Sequence, residues 1–280
     1  MQMPQAGFVL SLALFAPMAR SQALDSQDGR QPAIQPEAWQ LVVLANQARA
    51  AQGAGPLAWD AALAEAARLH CLRMAAEGQI AHRYGGEPSV EQRAAQAGAH
   101  FSLIEENVAV ASDTALVHRG WMESPEHRAN LLNPKVDQVG VAVVASGDVL
   151  YAVADYEKAV QVLTPVEVEA AVGGLIRAHG LSLLANPALA RAACAMDHGL
   201  APSSPSGPQP AFVMHWQDAD LTLLPQALLD RIASGDYPQA SVGGCPAQNA
   251  DGSFTLYRVA VLLYRAPNRD DLKRIGKSPF

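Results

Sequence analysis

Between Ile104 and Gly140 the chain reads IEENVAVASDTALVHRGWMESPEHRANLLNPKVDQVG, and here the side chains capable of chemistry are densest. Glu105 and Glu106 are adjacent carboxylates followed by Asn107. Glu123 and Glu126 flank Ser124-Pro125, and His127-Arg128 come next. Ser124-Pro125 reads as the cap and first residue of a helix. That places His127 in a first turn, where the positive end of the helix dipole disfavours an imidazolium. A neutral imidazole can take a proton or ligate a metal. A nucleophile is missing. There is no G-x-S-x-G turn, Cys71 falls on a helix face without an activating partner, and no glycine loop is laid out for phosphates.

The elements that must position these residues are legible from spacing. Pro36 opens a helix marked by Leu41, Leu44, Ala45 and Ala48 and ended by Gly53 and Gly55. Pro56 to Trp59 form a short link. Asp60 caps a second helix whose face carries Leu63, Ala66, Ala67, His70 and Met74, with Gly78 at its end. Glu91 to Ala97 form a short helix closed by Gly98. Asp113 caps a helix running to about Glu123, and the helix begun at Ser124-Pro125 stops at Asn133-Pro134. Val139 to Val144 and Val149 to Tyr156 form a hairpin buried on both faces, turning at Ser146-Gly147-Asp148.

After Glu157 the pattern starts again. Leu183 to Met196 lie over the stretch from Leu57 without a gap, pairing Leu183 with Leu57, Leu189 with Leu63 and Asn186 with the cap Asp60. Ala201 to Ala211 read as a linker rich in Pro, Ser and Gly. Val242 to Gly244, a turn at Asp251-Gly252 and Phe254 to Tyr264 mirror the first hairpin. This predicts a weak internal repeat. The second copy carries His179, His198 and His215 but neither an EN pair nor an SPxHR run.

Composition bounds the partners. The chain has 280 residues and a net charge of -7, with a pI near 5.6. It lacks the basic surplus that nucleic acid or anionic membrane surfaces attract. Gly7 to Met18 form an apolar run too short to span a bilayer, followed by Ser21-Gln22-Ala23. This predicts a signal peptide over 1–23, cleaved after Ala23, a flexible arm over 24–35, and a secreted or periplasmic protein with no transmembrane segment. Of the three cysteines, Cys194 and Cys245 are placed for a disulfide in an exported protein, leaving Cys71 buried and inert.

At Glu106-Asn107, at Trp121, in WMESPEHRANLL, at Val139-Gly140-Val141, in LAWDAALAEAARLH and at Ala81-His82, the chain resembles the CAP superfamily of cysteine-rich secretory, antigen 5 and pathogenesis-related proteins. The likeness is to its bacterial SCP-domain branch and covers Trp39 to about Tyr156. It implies an α+β fold, an α-β-α sandwich with a central antiparallel sheet, over 36–158. A second α+β domain over 159–280 follows as a degenerate repeat. It also implies a groove with two histidines and two acids that binds a divalent metal in some members. His82, Glu106 and His127 match that pattern. Glu123 and Glu126 both lie near the fourth place, and Glu105 replaces the usual glycine before EN.

With His82 and His127 as metal ligands, the set suits zinc with a position open to water. Alternatively, His–carboxylate hydrogen bonds hold the groove together. Asn107, Trp121 and Arg128 are expected to be structural, Arg128 through an ion pair with Glu126 or Asp137. The favoured function is a secreted protein binding a small apolar or cell-envelope ligand. A metal-dependent, peptidase-like hydrolase and a structural protein of the cell envelope are the alternatives. No catalytic residue is assigned.

Overall fold

The computed structural model describes residues 34–196, 198–200, 208–246, 248–250 and 254–266. The expected signal peptide, its cleavage point, most of the arm and the Asp251-Gly252 turn lie outside the described residues.

Helix α1 (Pro36–Ala51) has proline in its first turn, and β1 (Ala58–Trp59) follows. Helix α2 (Ala61–Glu77) starts where Asp60 Oδ1 accepts from Leu63 N at 2.7 Å. It ends at Gly78, whose φ of 71° suits glycine. Helix α3 (Val90–Ala97) opens on a Ser89/Gln92 capping box. Strand β2 (Phe101–Ala111) is followed by α4 (Thr114–Glu123) and α5 (Pro125–Leu132). The hairpin β3 (Gln138–Ser146) and β4 (Val149–Ala159) completes the first half.

The first sheet has the order β1-β3-β4-β2. Strand β1 is parallel to β3, and the other pairs are antiparallel. Successive side chains leave opposite faces. On one face Val139, Val141, Ala152, Ala154 and Tyr156 pack with Leu41, Trp121 and Leu131 from α1, α4 and α5. On the other, Val108, Ala142, Tyr151 and Val153 pack with Ala67, Cys71 and Met74 of α2. This is the α-β-α sandwich expected from the sequence. The contact with α2 depends on Gly140, because a Cβ there would overlap the backbone of Leu63 and Ala64. β1 and β2 were not expected. β1 is too short to carry a period. β2 has its Glu-Glu-Asn run in mid-strand, where it masks the alternation.

The second half contains α6 (Pro165–Ala178), β5 (Ser182–Leu183), α7 (Ala188–Cys194), β6 (Phe212–Asp218) and α8 (Gln226–Ala233). β7 (Gln239–Gly244), β8 (Gln248–Ala250) and β9 (Phe254–Tyr264) complete it. Its strand order is β5-β7-β9-β6, with β5 parallel to β7 and β9 antiparallel to both its neighbours, while β8 pairs with β9. This reproduces the first sheet strand for strand. A close approach of strand to helix recurs at Gly243, two residues beyond the place that Gly140 holds in the first ladder, since a Cβ there would meet the backbone of Ala190 and Arg191 in α7.

The ungapped pairing of the two halves needs correction. Ser182 beside Gln239 matches Ala58 beside Gln138. One residue, Asp60, separates β1 from α2, whereas Leu184 to Pro187 separate β5 from α7. The register therefore slips between strand and helix. Asn186 still serves that junction, its Oδ1 accepting from Ala188 N at 2.9 Å.

The halves share packing. Phe101 meets Phe254 edge-on with ring centroids 5.5 Å apart, and His100 Nδ1 lies 3.3 Å from Thr255 Oγ1. Cys194 and Cys245 form a disulfide with Cα atoms 5.9 Å apart. Cys71 is a free buried thiol, and burial pushes its pKa up to about 12, which makes it inert.

Candidate functional site

Strand β2 is an edge of the first sheet, and the candidate residues converge on it from both sides. Glu106 points to the α2 face, directly across the ladder from Asp155. His82, in the connection from α2 to α3, sets its Nδ1 2.9 Å from Glu106 Oε1. His127, in the first turn of α5, brings its ring centroid to 6.1 Å from that of His82. Asn107 points to the opposite face. Its Nδ2 donates to His127 O at 2.9 Å, and its Oδ1 accepts from Asn130 Nδ2 at 3.1 Å. Asn130 Nδ2 also donates to Glu106 O at 3.2 Å, and Asn133 Nδ2 donates to Glu105 Oε1 at 2.9 Å. Three asparagines thus fasten α5 to the edge strand, fixing where His127 sits.

The two imidazoles are shifted in opposite directions by their surroundings. The His82 side chain is 59% exposed, and its hydrogen bond to Glu106 raises its pKa against the opposing effect of burial. His127 is half-buried, and burial, then the charge on His82, lowers its pKa while Glu126 opposes. Glu126 also acts on His82, so it is the acid at the margin of the pair. Glu123 is exposed and has no described contact with it. Two imidazoles displaced in opposite directions, His82 toward its protonated form and His127 toward its neutral form, therefore stand side by side.

Beneath them lies a network that the sequence did not reveal. Arg93 Nη2 meets Glu106 Oε2. His70 is fully buried, with Nδ1 2.7 Å from Glu87 Oε1 and Nε2 2.8 Å from Ala81 O. It is a core histidine with both ring nitrogens engaged. Neither oxygen of Asp155 has a hydrogen-bond partner in the described structure. Burial, then the charge on Glu106, pushes its carboxyl well above the usual range. Arg93 and Asp155 have no signal in their own neighbourhoods, because they reach Glu106 only through tertiary contact.

The supporting residues divide. Trp121 is buried in the core and donates from Nε1 to Val108 O at 3.1 Å. Arg128 is exposed, and among the described residues the expected ion pair with Glu126 or Asp137 is not formed, Asp137 being taken by Lys158. Asp137 instead holds Lys158 Nζ at 2.5 Å and Ala159 N at 2.9 Å.

Residues 43–156 match the model of the cysteine-rich secretory protein family, CAP. That segment is a CAP domain. Protein YkwD of Bacillus subtilis strain 168 is 32% identical over 110 residues, covering 39% of this chain and 43% of its own length. The chain thus spans under half of that relative. Among solved structures, an extracellular SCP-domain protein of Bacillus anthracis strain Ames is 25% identical. That match covers 45% of this chain and 44% of the other, with a TM-score of 0.41. An outer surface protein of Borrelia burgdorferi is 20% identical, covering 47% of this chain and 98% of the other, with a TM-score of 0.43. NaASP2, solved with Zn2+, is 15% identical, covering 46% and 83%, with a TM-score of 0.33.

The CAP domain's cluster does not fit the metal that the resemblance implies. Among the described residues, no three His, Cys, Asp or Glu side chains are grouped to hold an ion. Both Glu106 oxygens are engaged, one by His82 and one by Arg93, and a cation approaching that carboxylate would face the guanidinium. A cleft of about 370 Å³ opens elsewhere, in the second half beside Cys194 and Trp216. Among the described residues no helix is long and apolar enough to cross a membrane.

Proposed function

We propose that the chain works outside the cytoplasm as a binding protein whose CAP domain takes a small cell-envelope amphiphile. The ligand's polar head would sit between His82 and His127, with its apolar body along the β2 edge. The observation that carries this reading is the pair of imidazoles with opposite pKa displacements and ring centroids 6.1 Å apart. With His82 favoured toward the protonated form by Glu106 and His127 toward the neutral form, such a pair can offer a donor and an acceptor to a single polar group. Ile80, two residues before His82, and Val110 on β2 are exposed apolar neighbours for the body.

Binding is favoured over hydrolysis because the cluster brings together no nucleophile and no metal-binding trio. Export is supported by the apolar run from Gly7 to Met18 and by the Cys194–Cys245 disulfide, which belongs to an oxidising compartment. Within this reading 36–158 is the binding domain and 159–280 a second domain that repeats its topology.

Sedimentation with phosphatidylglycerol/phosphatidylethanolamine vesicles tests the proposal. The wild type should be retained. A His82→Ala/His127→Ala protein with unchanged circular dichroism should bind at least about tenfold more weakly, the loss expected for hydrogen bonds to charged groups. Equal binding by both proteins, or wild-type retention on cell-wall sacculi but not on vesicles, overturns it.

A further inference from the structure

Arg93 is 7% exposed, and its guanidinium has several partners. Nη1 donates to His82 O at 3.3 Å and to Pro88 O at 3.1 Å, and Nη2 meets Glu106 Oε2. It therefore grips His82 twice, directly at the carbonyl and through the carboxylate that orients the ring. The planar fork of arginine suits such a multiple grip, which a lysine ammonium cannot reproduce. The partner acid is equally enclosed, since the Glu106 side chain is 3% exposed. A buried carboxylate needs a compensating charge, and Arg93 is the permanently charged group that the structure places on it. The nearest other bases are imidazoles, with His82 at 2.9 Å and His70 Nε2 at 3.9 Å. The carboxyl beneath, Asp155, lies wholly inside the fold.

We infer that Arg93 is the resident cation of the CAP-domain groove: its guanidinium takes the charge-balancing place beside Glu106 that a divalent metal would otherwise fill, so the cluster is complete without an ion. The inference rests on the geometry around Glu106, not on the identity of any ligand, so it stands or falls separately from the vesicle experiment. It also states what should happen when the guanidinium is removed. Glu106, Asp155 and His82 would be left around an uncompensated site, with His127 nearby, and those are donors for a borderline-soft cation.

The test is zinc binding by the full-length, untagged chain, followed by calorimetric titration and by native mass spectrometry. Wild type should take up no stoichiometric zinc. Arg93→Met should gain one equivalent, at least about tenfold tighter than wild type, since the repelling charge is gone. Arg93→Met/His82→Ala should lose it again. Arg93→Lys keeps the charge and should stay free of zinc. Circular dichroism establishes that each variant is folded. Stoichiometric, His82-dependent zinc binding by the wild type overturns the inference without any Arg93 variant. So does a folded Arg93→Met protein that gains no zinc, or an Arg93→Lys protein that binds it as Arg93→Met does.

Discussion

Glu157 offers a sharp test of how buried acids act in this sheet. It is 2% exposed on β4, its Oε2 has no hydrogen-bond partner, and burial, then the charges of Asp60 and Asp137, raise its pKa from 4.5 to about 8. The sign follows directly. Between those two values the folded chain binds a proton that the unfolded chain has released, so stability falls as pH rises through the window. From 4.5 to pH 7 the window spans about 2.5 pH units, and each unit is worth about 1.4 kcal/mol, so Glu157 costs at most about 3.5 kcal/mol at pH 7. Glu157→Gln removes the titration and keeps the shape. Urea unfolding of both proteins at pH 4 and pH 7 isolates Glu157 together with its charge coupling to Asp60 and Asp137, because groups not coupled to it cancel in the difference. The Gln protein should gain about 3 kcal/mol relative to wild type on going from pH 4 to pH 7. A difference that does not change with pH would refute the reasoning and place the Glu157 carboxyl in contact with water.

Two further outcomes follow from the repeated topology. Gly140→Ala and Gly243→Ala should each destabilise the chain by about 3 kcal/mol in urea melts, because the added methyl meets helix backbone and not a movable side chain; a loss under about 1 kcal/mol would show that the helix can slide aside. Val144→Cys should form a new disulfide with Cys71, detected by non-reducing peptide mapping. In the ladder Val144 faces Tyr151 as Cys245 faces Arg258, and the Cys71 and Cys194 sulfurs lie 3.1 Å and 3.2 Å from those two residues' carbonyls.

What the sequence revealed depended on how local each cause was. Pro36, Asp60, Gly78, Gly98 and Asp113 act on their own chain neighbours, so the helix starts and stops could be read in advance. The β3–β4 hairpin was legible because its strands are continuous apolar runs joined by a tight turn. Strand β2 was not, since Glu105, Glu106 and Asn107 each serve a different tertiary partner and break the period. The site divided the same way. His82, Glu106 and His127 were reached through motif resemblance, and the structure brings them together. Arg93 was not reached, because an arginine on a short surface-patterned helix looks solvated until α3 is folded against β2. Arg49 is similar: it is 1% exposed, and it donates to Gly55, Leu131, Asn133 and Val136 carbonyls from α1, partners separated from it by up to 87 residues. Glu123 and Glu126 lie on one helix–turn–helix and cannot be told apart by spacing; in three dimensions the charge of Glu126 acts on both His82 and His127.

The two halves together show what the fold does not require. Following the ladders from the matching pairs Ala58–Gln138 and Ser182–Gln239, the positions of Glu106, Asn107, Asp155 and Glu157 in the first sheet are held by Val213, Met214, Leu262 and Tyr264 in the second. The same strand order closes with apolar side chains there, and Leu262 and Tyr264 are buried in the core beside the disulfide. Burying acids with few partners costs free energy, and the first half carries that cost at Asp155 and Glu157. Since the topology forms without those acids, their presence answers to something other than folding. The carboxylates, with Arg93 beside Glu106 and His82 facing outward, are what the first half has and the second half, with the same strand order, lacks.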